Sequence, residues 1–213
     1  MMLENGDALR EGPDVATFLV DLLPRDMQRR LSDALAIYVD AMRYPRGTEG
    51  HRASMWMEHS TRKGWRAVAA VDAPDAGGQP PTAEVLADAP MIGVAYGYCG
   101  APDQWWQQQV VAGMRRAGLP QAEIGALMNS YFELTELHIH PRAQGQGLGE
   151  ALARRLLSCR DEAYVLLSTP EIRGEANRAW RLYRRLGFAD IIRGHRFAGD
   201  PRAFAILGRT LPL

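Results

Sequence analysis

The run of residues 134–157, LTELHIH-PRA-QGQGLG-EALARRLL, constrains this chain more than any other, because it reads as strand, loop and helix without a break. Gly145, Gly147 and Gly149 alternate just ahead of the helical pattern. Glycines at that spacing let the backbone turn tightly and bring its N–H groups against a ligand without Cβ interference. The helix start behind them adds unpaired donors and the positive end of a dipole. Together they make an anion cradle suited to a phosphate or pyrophosphate. The plainer alternative is a glycine-rich turn that holds nothing. A P-loop is excluded, since no Gly-Lys-Ser/Thr ending follows. A dinucleotide fingerprint is excluded too, because the spacing is not G-x-G-x-x-G. The pattern present is Q-x-x-G-x-G, carried by Gln144, Gly147 and Gly149.

A chain of 213 residues suits a single domain. Residues 1–15 read as a flexible tail and 16–213 as that domain, with a helical insertion at about 103–129. Lys plus Arg equals Asp plus Glu at 25 each, which points to neither nucleic acid nor an anionic membrane. Among the basic residues only Lys63 is a lysine. Cys99 and Cys159 supply neither a disulfide framework nor a metal cluster, as in a reducing compartment. The N-terminal MMLENGDALREGPD has no apolar signal core, and no apolar run approaches membrane-spanning length. The expectation is a soluble cytoplasmic protein.

Along the chain, residues 17–23 predict a short strand stopped by Pro24, and Asp26 could cap a helix running to about Met42. A second helix is expected over 51–60, strands over 65–71 and 91–99, and a Pro/Gly/Ala-rich loop over 73–89. The insertion reads as two helices, 103–117 and 121–129, broken at Gly118-Leu119-Pro120. Its Trp105 and Trp106 pack it onto the body, or it lids a site, or it makes a homodimer contact. After the cradle come a strand over 163–168, a helix over 171–186 with Gly187 as its C-cap, and a closing antiparallel pair at 188–193 and 203–210.

The strand at 131–140 carries an irregularity. Phe132 and Leu134 are apolar on even positions, Leu137 and Ile139 on odd ones. Strands alternate with period two, so the phase flips between 134 and 137, and one extra residue near Thr135-Glu136, a β-bulge, accounts for it. The bulge splays the strand and sets Glu133 and His138 on the face opposite Leu134 and Leu137. His138 and His140 are two apart, a spacing that could suit a metal, yet nothing else supplies ligands.

The bulged strand, Gln144-x-x-Gly147-x-Gly149 and the segment Leu182-Tyr183-Arg184-Arg185-Leu186-Gly187-Phe188 occur together and in order. In this the chain resembles the GNAT superfamily of acyl-CoA-dependent N-acetyltransferases, over 17–210 in element order and most sharply over 131–189. The resemblance implies a mixed α/β fold: a mostly antiparallel central sheet of about seven strands flanked by helices and splayed at the bulged strand. It implies acetyl-CoA as co-substrate, with backbone groups of Leu137, His138 and Ile139 on the pantetheine amides. The loop residues Gln144, Gly145, Gln146, Gly147, Leu148 and Gly149 would hold the pyrophosphate. It also implies Tyr183 as the acid that protonates the leaving thiolate, and a carboxylate base, Glu133 first and Glu136 second. The family's asparagine usually stands seven residues before the tyrosine, which here is Ala176; Asn177, six before, is the substitute for contact with the pantetheine arm.

The acceptor implied is a primary amine, on a protein lysine or N-terminus or on a small molecule, with Tyr44, Met55, Trp56 and the insertion shaping its site. No metal enters the reading. Neither cysteine has an evident activating partner, which favours direct transfer over a ping-pong route. The competing class is a non-catalytic acyl-CoA-binding or regulatory module on the same fold; a nucleotide-binding oxidoreductase fits the glycine spacing poorly.

Overall fold

The computed structural model describes residues 15–75 and 81–213. Seven strands form one sheet in the order β1-β2-β3-β4-β5-β7-β6. They are β1 (Val15–Leu22), β2 (Arg66–Pro74), β3 (Met91–Cys99), β4 (Tyr131–Ile139), β5 (Tyr164–Pro170), β6 (Ala189–His195) and β7 (Phe204–Thr210). Every neighbouring pair is antiparallel except β4 and β5, which run parallel. The helices are α1 (Pro24–Arg29), α2 (Leu31–Met42), α3 (Ala53–His59), α4 (Ala83–Asp88), α5 (Trp105–Arg116), α6 (Gln121–Asn129), α7 (Leu148–Leu157) and α8 (Arg178–Arg185). The mixed, mostly antiparallel sheet with flanking helices is the architecture expected.

The sheet is covered on both faces. On one, α7 and α8 bury Leu152, Leu156, Trp180 and Leu186 against Val68, Ile92, Val165 and Leu167. Each fully buried leucine contributes about 2 kcal/mol of transfer free energy. On the other face, α1, α2 and α3 pack Met27, Leu35, Ile37 and Trp56 over β1–β3. The insertion, α5 and α6, covers that same side farther along, with Val110, Met114 and Ile124 against Leu166, Ile192 and Ile206. Trp106 anchors it, donating from Nε1 to Ser168 Oγ at 3.3 Å. Trp105 stays 51% exposed and tilts against Phe197.

Several element boundaries differ from the expectation, each for a physical reason. The helix expected over 26–42 divides at Arg30, whose buried guanidinium donates to Ala87 O, Ala89 O and Asp33. Asp26 is therefore not the cap but the third residue of α1, its carboxylate accepting from Leu23 N–H. The loop expected at 73–89 contains α4, started by Thr82, whose hydroxyl accepts from Val85 N–H. The helix expected from 171 begins at Arg178, because Gly174 (φ 65°) bends the preceding 3-10 turn. Of the expected N-terminal tail, residues 1–14 lie outside the described residues, and Val15 already begins β1.

The bulge is where the phase flip put it. Tyr96 faces Glu136 and Gly97 faces Leu134, so Thr135 is the extra residue. Gly97 is required there: a Cβ would stand 2.1 Å from Glu133 O. Beyond the bulge β4 leaves β5, to which only 131–133 are paired.

Candidate active site

The cradle forms at the mouth of this splay. Gly145 (φ 89°) and Gly147 (φ 80°) turn the chain in the left-handed region, and α7 starts at once. Ala143 and Gln144 N–H donate back to His140 and Pro141, and Glu150 N–H to Gly147 O. The five N–H groups between them, from Gly145 to Gly149, find no protein acceptor among the described residues. Five adjacent donors at a helix start match a pyrophosphate.

Above the bulge, His140 N–H donates to Ile92 O, fixing the alternation of β4 against β3. Residues two apart repeat that role in an antiparallel ladder, so the backbone of His138 belongs to β3. Leu137 and Ile139 therefore present their backbone groups to the gap. Gln144 closes part of it, donating from Nε2 to Ile139 O at 3.0 Å while accepting from Arg178. Asn177 caps α8, its side chain accepting from Trp180 N–H at 2.9 Å.

Glu133, Glu136 and His138 lie on the face of β4 away from α7 and α8, and Tyr183 on the face that α8 covers. Glu133 is 3% exposed, and its Oε2 has no partner. Burial, helped by the nearby charge of Glu136, lifts its pKa to about 8 against the pull of Arg62, Tyr98 and Thr135. Glu136 shares a 2.6 Å hydrogen bond with His138, whose ring lies edge-on to Tyr38 at 5.0 Å. Tyr183, on α8, is buried against Phe188, and its hydroxyl meets no partner among the described residues. Burial first, then the charge of Glu136, raises that phenol above its usual range. Glu136 thus acts electrostatically on both Glu133 and Tyr183.

Around them stands a shell that the motifs did not single out. His59 Nδ1 and Tyr96 Oη lie 3.0 Å apart, and burial pushes the imidazole down to about 4, so it is neutral. Arg62 stacks 4.6 Å over Tyr98. The signal available was Tyr96-Gly97-Tyr98, two aromatics on one strand face flanking a glycine. His140 turns away from His138, toward Asp40 at 3.4 Å. Among the described residues no His, Cys, Asp or Glu cluster of three gathers as a metal site requires.

A cleft of ≈ 330 Å³ is lined by Tyr38, Tyr44, Pro45, Thr48, His51 and Arg52, and the ring of Tyr38 also meets His138. Of the residues expected to shape the acceptor site, Tyr44 lines it. Trp56 is buried beneath, edge-on to Tyr38, and the insertion lies over β5–β7 instead. Met55 takes a weak hydrogen bond from Arg52.

A sheet splayed at a bulged strand, with a free-donor loop at its mouth and a carboxylate and a phenol alongside, defines an acyltransferase of the GNAT class. Residues 101–190 match the model of the acetyltransferase (GNAT) domain. The GCN5-like protein acetyltransferase Rv2170 of Mycobacterium tuberculosis (strain ATCC 25618 / H37Rv) is 70% identical over 207 residues, covering 93% of this chain and 100% of that relative. The chain belongs to the GNAT acetyltransferase family. Arabidopsis thaliana NAA60, solved with acetyl-CoA, superposes with a TM-score of 0.55 at 14% identity, covering 92% of this chain and 99% of that one. The ribosomal-protein-S18-alanine N-acetyltransferase from Escherichia coli gives 0.54 at 17%, covering 93% and 96%. At those identities the two structures carry the fold alone. Among the described residues no helix is long and apolar enough to cross a membrane.

Proposed function

We propose that this chain transfers an acetyl group from acetyl-CoA directly to a primary amine of a protein. The observation that carries the reading is the pairing of a high-pKa buried carboxylate, Glu133, with the Tyr183 hydroxyl, which has no hydrogen-bond partner among the described residues. The relative's description as a protein acetyltransferase supports a protein acceptor over a small one.

In this reading the free N–H groups of 145–149 hold the pyrophosphate, and the gap-side backbone of Leu137 and Ile139 takes the pantetheine amides. Asn177, committed to its cap through Oδ1, retains its amide N–H groups for the same arm. An alkylammonium of pKa ~10.4 is almost wholly protonated at neutral pH, so the acceptor must lose a proton before attack. Glu133 takes it, directly or through water, with Glu136 as the second carboxylate of the relay. The amine nitrogen bonds to the thioester carbon, the C–S bond breaks, and Tyr183 gives its proton to the departing sulfur. Cys99 supports direct transfer: its thiol donates to Glu162 at 2.9 Å, and burial raises its pKa, so it is no ready nucleophile.

The test incubates the protein and acetyl-CoA with lysine peptides, N-terminal peptides and small amines, reading free CoA thiol and acceptor mass. Thiol release that depends on a peptide amine is expected. Tight CoA binding without transfer to any acceptor would make the chain an acyl-CoA-binding module. A second expectation concerns the cradle. Gly147→Val forces a β-branched residue into φ 80°, a strain of about 1–2 kcal/mol. It should raise KM for acetyl-CoA roughly tenfold while sparing KM for the acceptor, by steady-state kinetics.

A further inference from the structure

We propose that Arg52 selects acceptors whose amine is flanked by a carboxylate: a peptide lysine with an aspartate or glutamate one or two residues away. This rests on the reading that the cleft receives the acceptor. Its wall is the Tyr38 ring, which touches His138 at 5.0 Å, and His138 is bonded to Glu136. The Arg52 guanidinium stands 5.6 Å from the same ring. An acceptor amine at the Glu133–Glu136 face and a group beside Arg52 are therefore separated by little more than two ring contacts, a span that a lysine side chain bridges.

Several charged groups around the cleft already have partners. Asp40 faces Arg46 at 3.8 Å and His140 at 3.4 Å. Glu49 accepts from Gly47 N–H at 2.8 Å. Asp200 is clasped by Arg202 at 2.6 Å, and Arg202 reaches across to the Tyr44 hydroxyl at 3.4 Å, closing the cleft from the β6–β7 loop. Arg52 lies over the Tyr38 ring and donates to the Met55 thioether at 3.7 Å; Asp200 feels its charge but is clasped by Arg202, and among the described residues no carboxylate forms an ion pair with Arg52. A half-buried guanidinium presenting its fork without an ion pair is a carboxylate receptor, and it repels a basic neighbour.

The experiment uses three lysine peptides of one sequence with Asp, Asn or Lys beside the acceptor, on the wild type, Arg52→Gln and Arg52→Glu. Thiol release gives kcat/KM, and fluorescence anisotropy with CoA-loaded protein gives binding. The wild type should favour the Asp peptide over the Asn peptide by about fivefold in kcat/KM, mainly through KM. Arg52→Gln should erase the preference, and Arg52→Glu should invert it toward the Lys peptide, which lost packing alone would not do. Equal kcat/KM for all three peptides on the wild type, or a preference unchanged in Arg52→Glu, overturns the proposal. A preference confined to Nα-acetyl-lysine over its amide overturns the peptide assignment in favour of a small acid. Charge-selective binding without acetyl transfer to any peptide overturns the transferase reading and leaves the docking inference standing. Neither binding nor transfer overturns both.

Discussion

Tyr183→Phe is expected to lower kcat by about 10²-fold, the scale of a lost general acid. KM for acetyl-CoA and the melting temperature should scarcely move. The three expectations come from one geometry. The phenol makes no hydrogen bond among the described residues, so removing its oxygen strands none of them. Its ring contact with Phe188, 5.7 Å between centroids, is available equally to phenylalanine. What disappears is a proton held in place by burial and by the Glu136 charge, both of which oppose ionisation. The hydroxyl thus stays protonated across the working range, a donor held ready for the sulfur as charge develops on it. A loss confined to kcat, with CoA affinity by calorimetry intact, marks an interaction made in the transition state. A Phe variant with wild-type turnover would reduce Tyr183 to a packing residue.

The parts of this site that follow from local rules were readable from the chain, and those made by distant partners were not. The bulge was visible because a period-two pattern cannot change phase without an extra residue, and Thr135 is that residue. The cradle was visible because glycine alternation and a helix start are contiguous. By contrast, the break at Arg30 depends on carbonyls of Ala87 and Ala89, 57 and 59 positions away, which no window of sequence contains. The late start of α8 was within reach, since Asn177 is a good cap and Gly174 a good breaker; the apolar face of the helix outweighed them in the reading. The cleft beside Tyr38 joins the α2–α3 connection to the β6–β7 loop through Tyr44 and Arg202, a pairing across 158 positions. Composition offered nothing toward it, and neither did motif spacing.

Glu133→Gln should show opposite effects on activity and stability, and the pH dependence of each identifies the cause. In the wild type, both the carboxylate, with its pKa near 8, and the acceptor amine, near ~10.4, must be deprotonated for attack. The logarithm of kcat/KM should then rise with a slope of about two below pH 8 and about one above it. In Glu133→Gln the lower limb vanishes, a slope of one remains throughout, and the rate above pH 8 falls by about 10²–10³. Stability moves the other way. Folding raises this carboxyl's pKa from 4.5 to about 8, so below 4.5 both states are protonated and burial of the acid carries no ionic penalty. Between those values the unfolded chain releases the proton while the folded one keeps it, and stability falls as pH rises. Above 8 the penalty is complete, about 5 kcal/mol. A neutral amide escapes it, so Glu133→Gln should melt well above the wild type at about pH 9, the gap closing toward pH 4. A variant that is slower and sturdier together is what a base held in a costly environment for its chemistry produces. A variant that is slower and weaker would instead assign Glu133 to the polar scaffold around Tyr98 and Arg62.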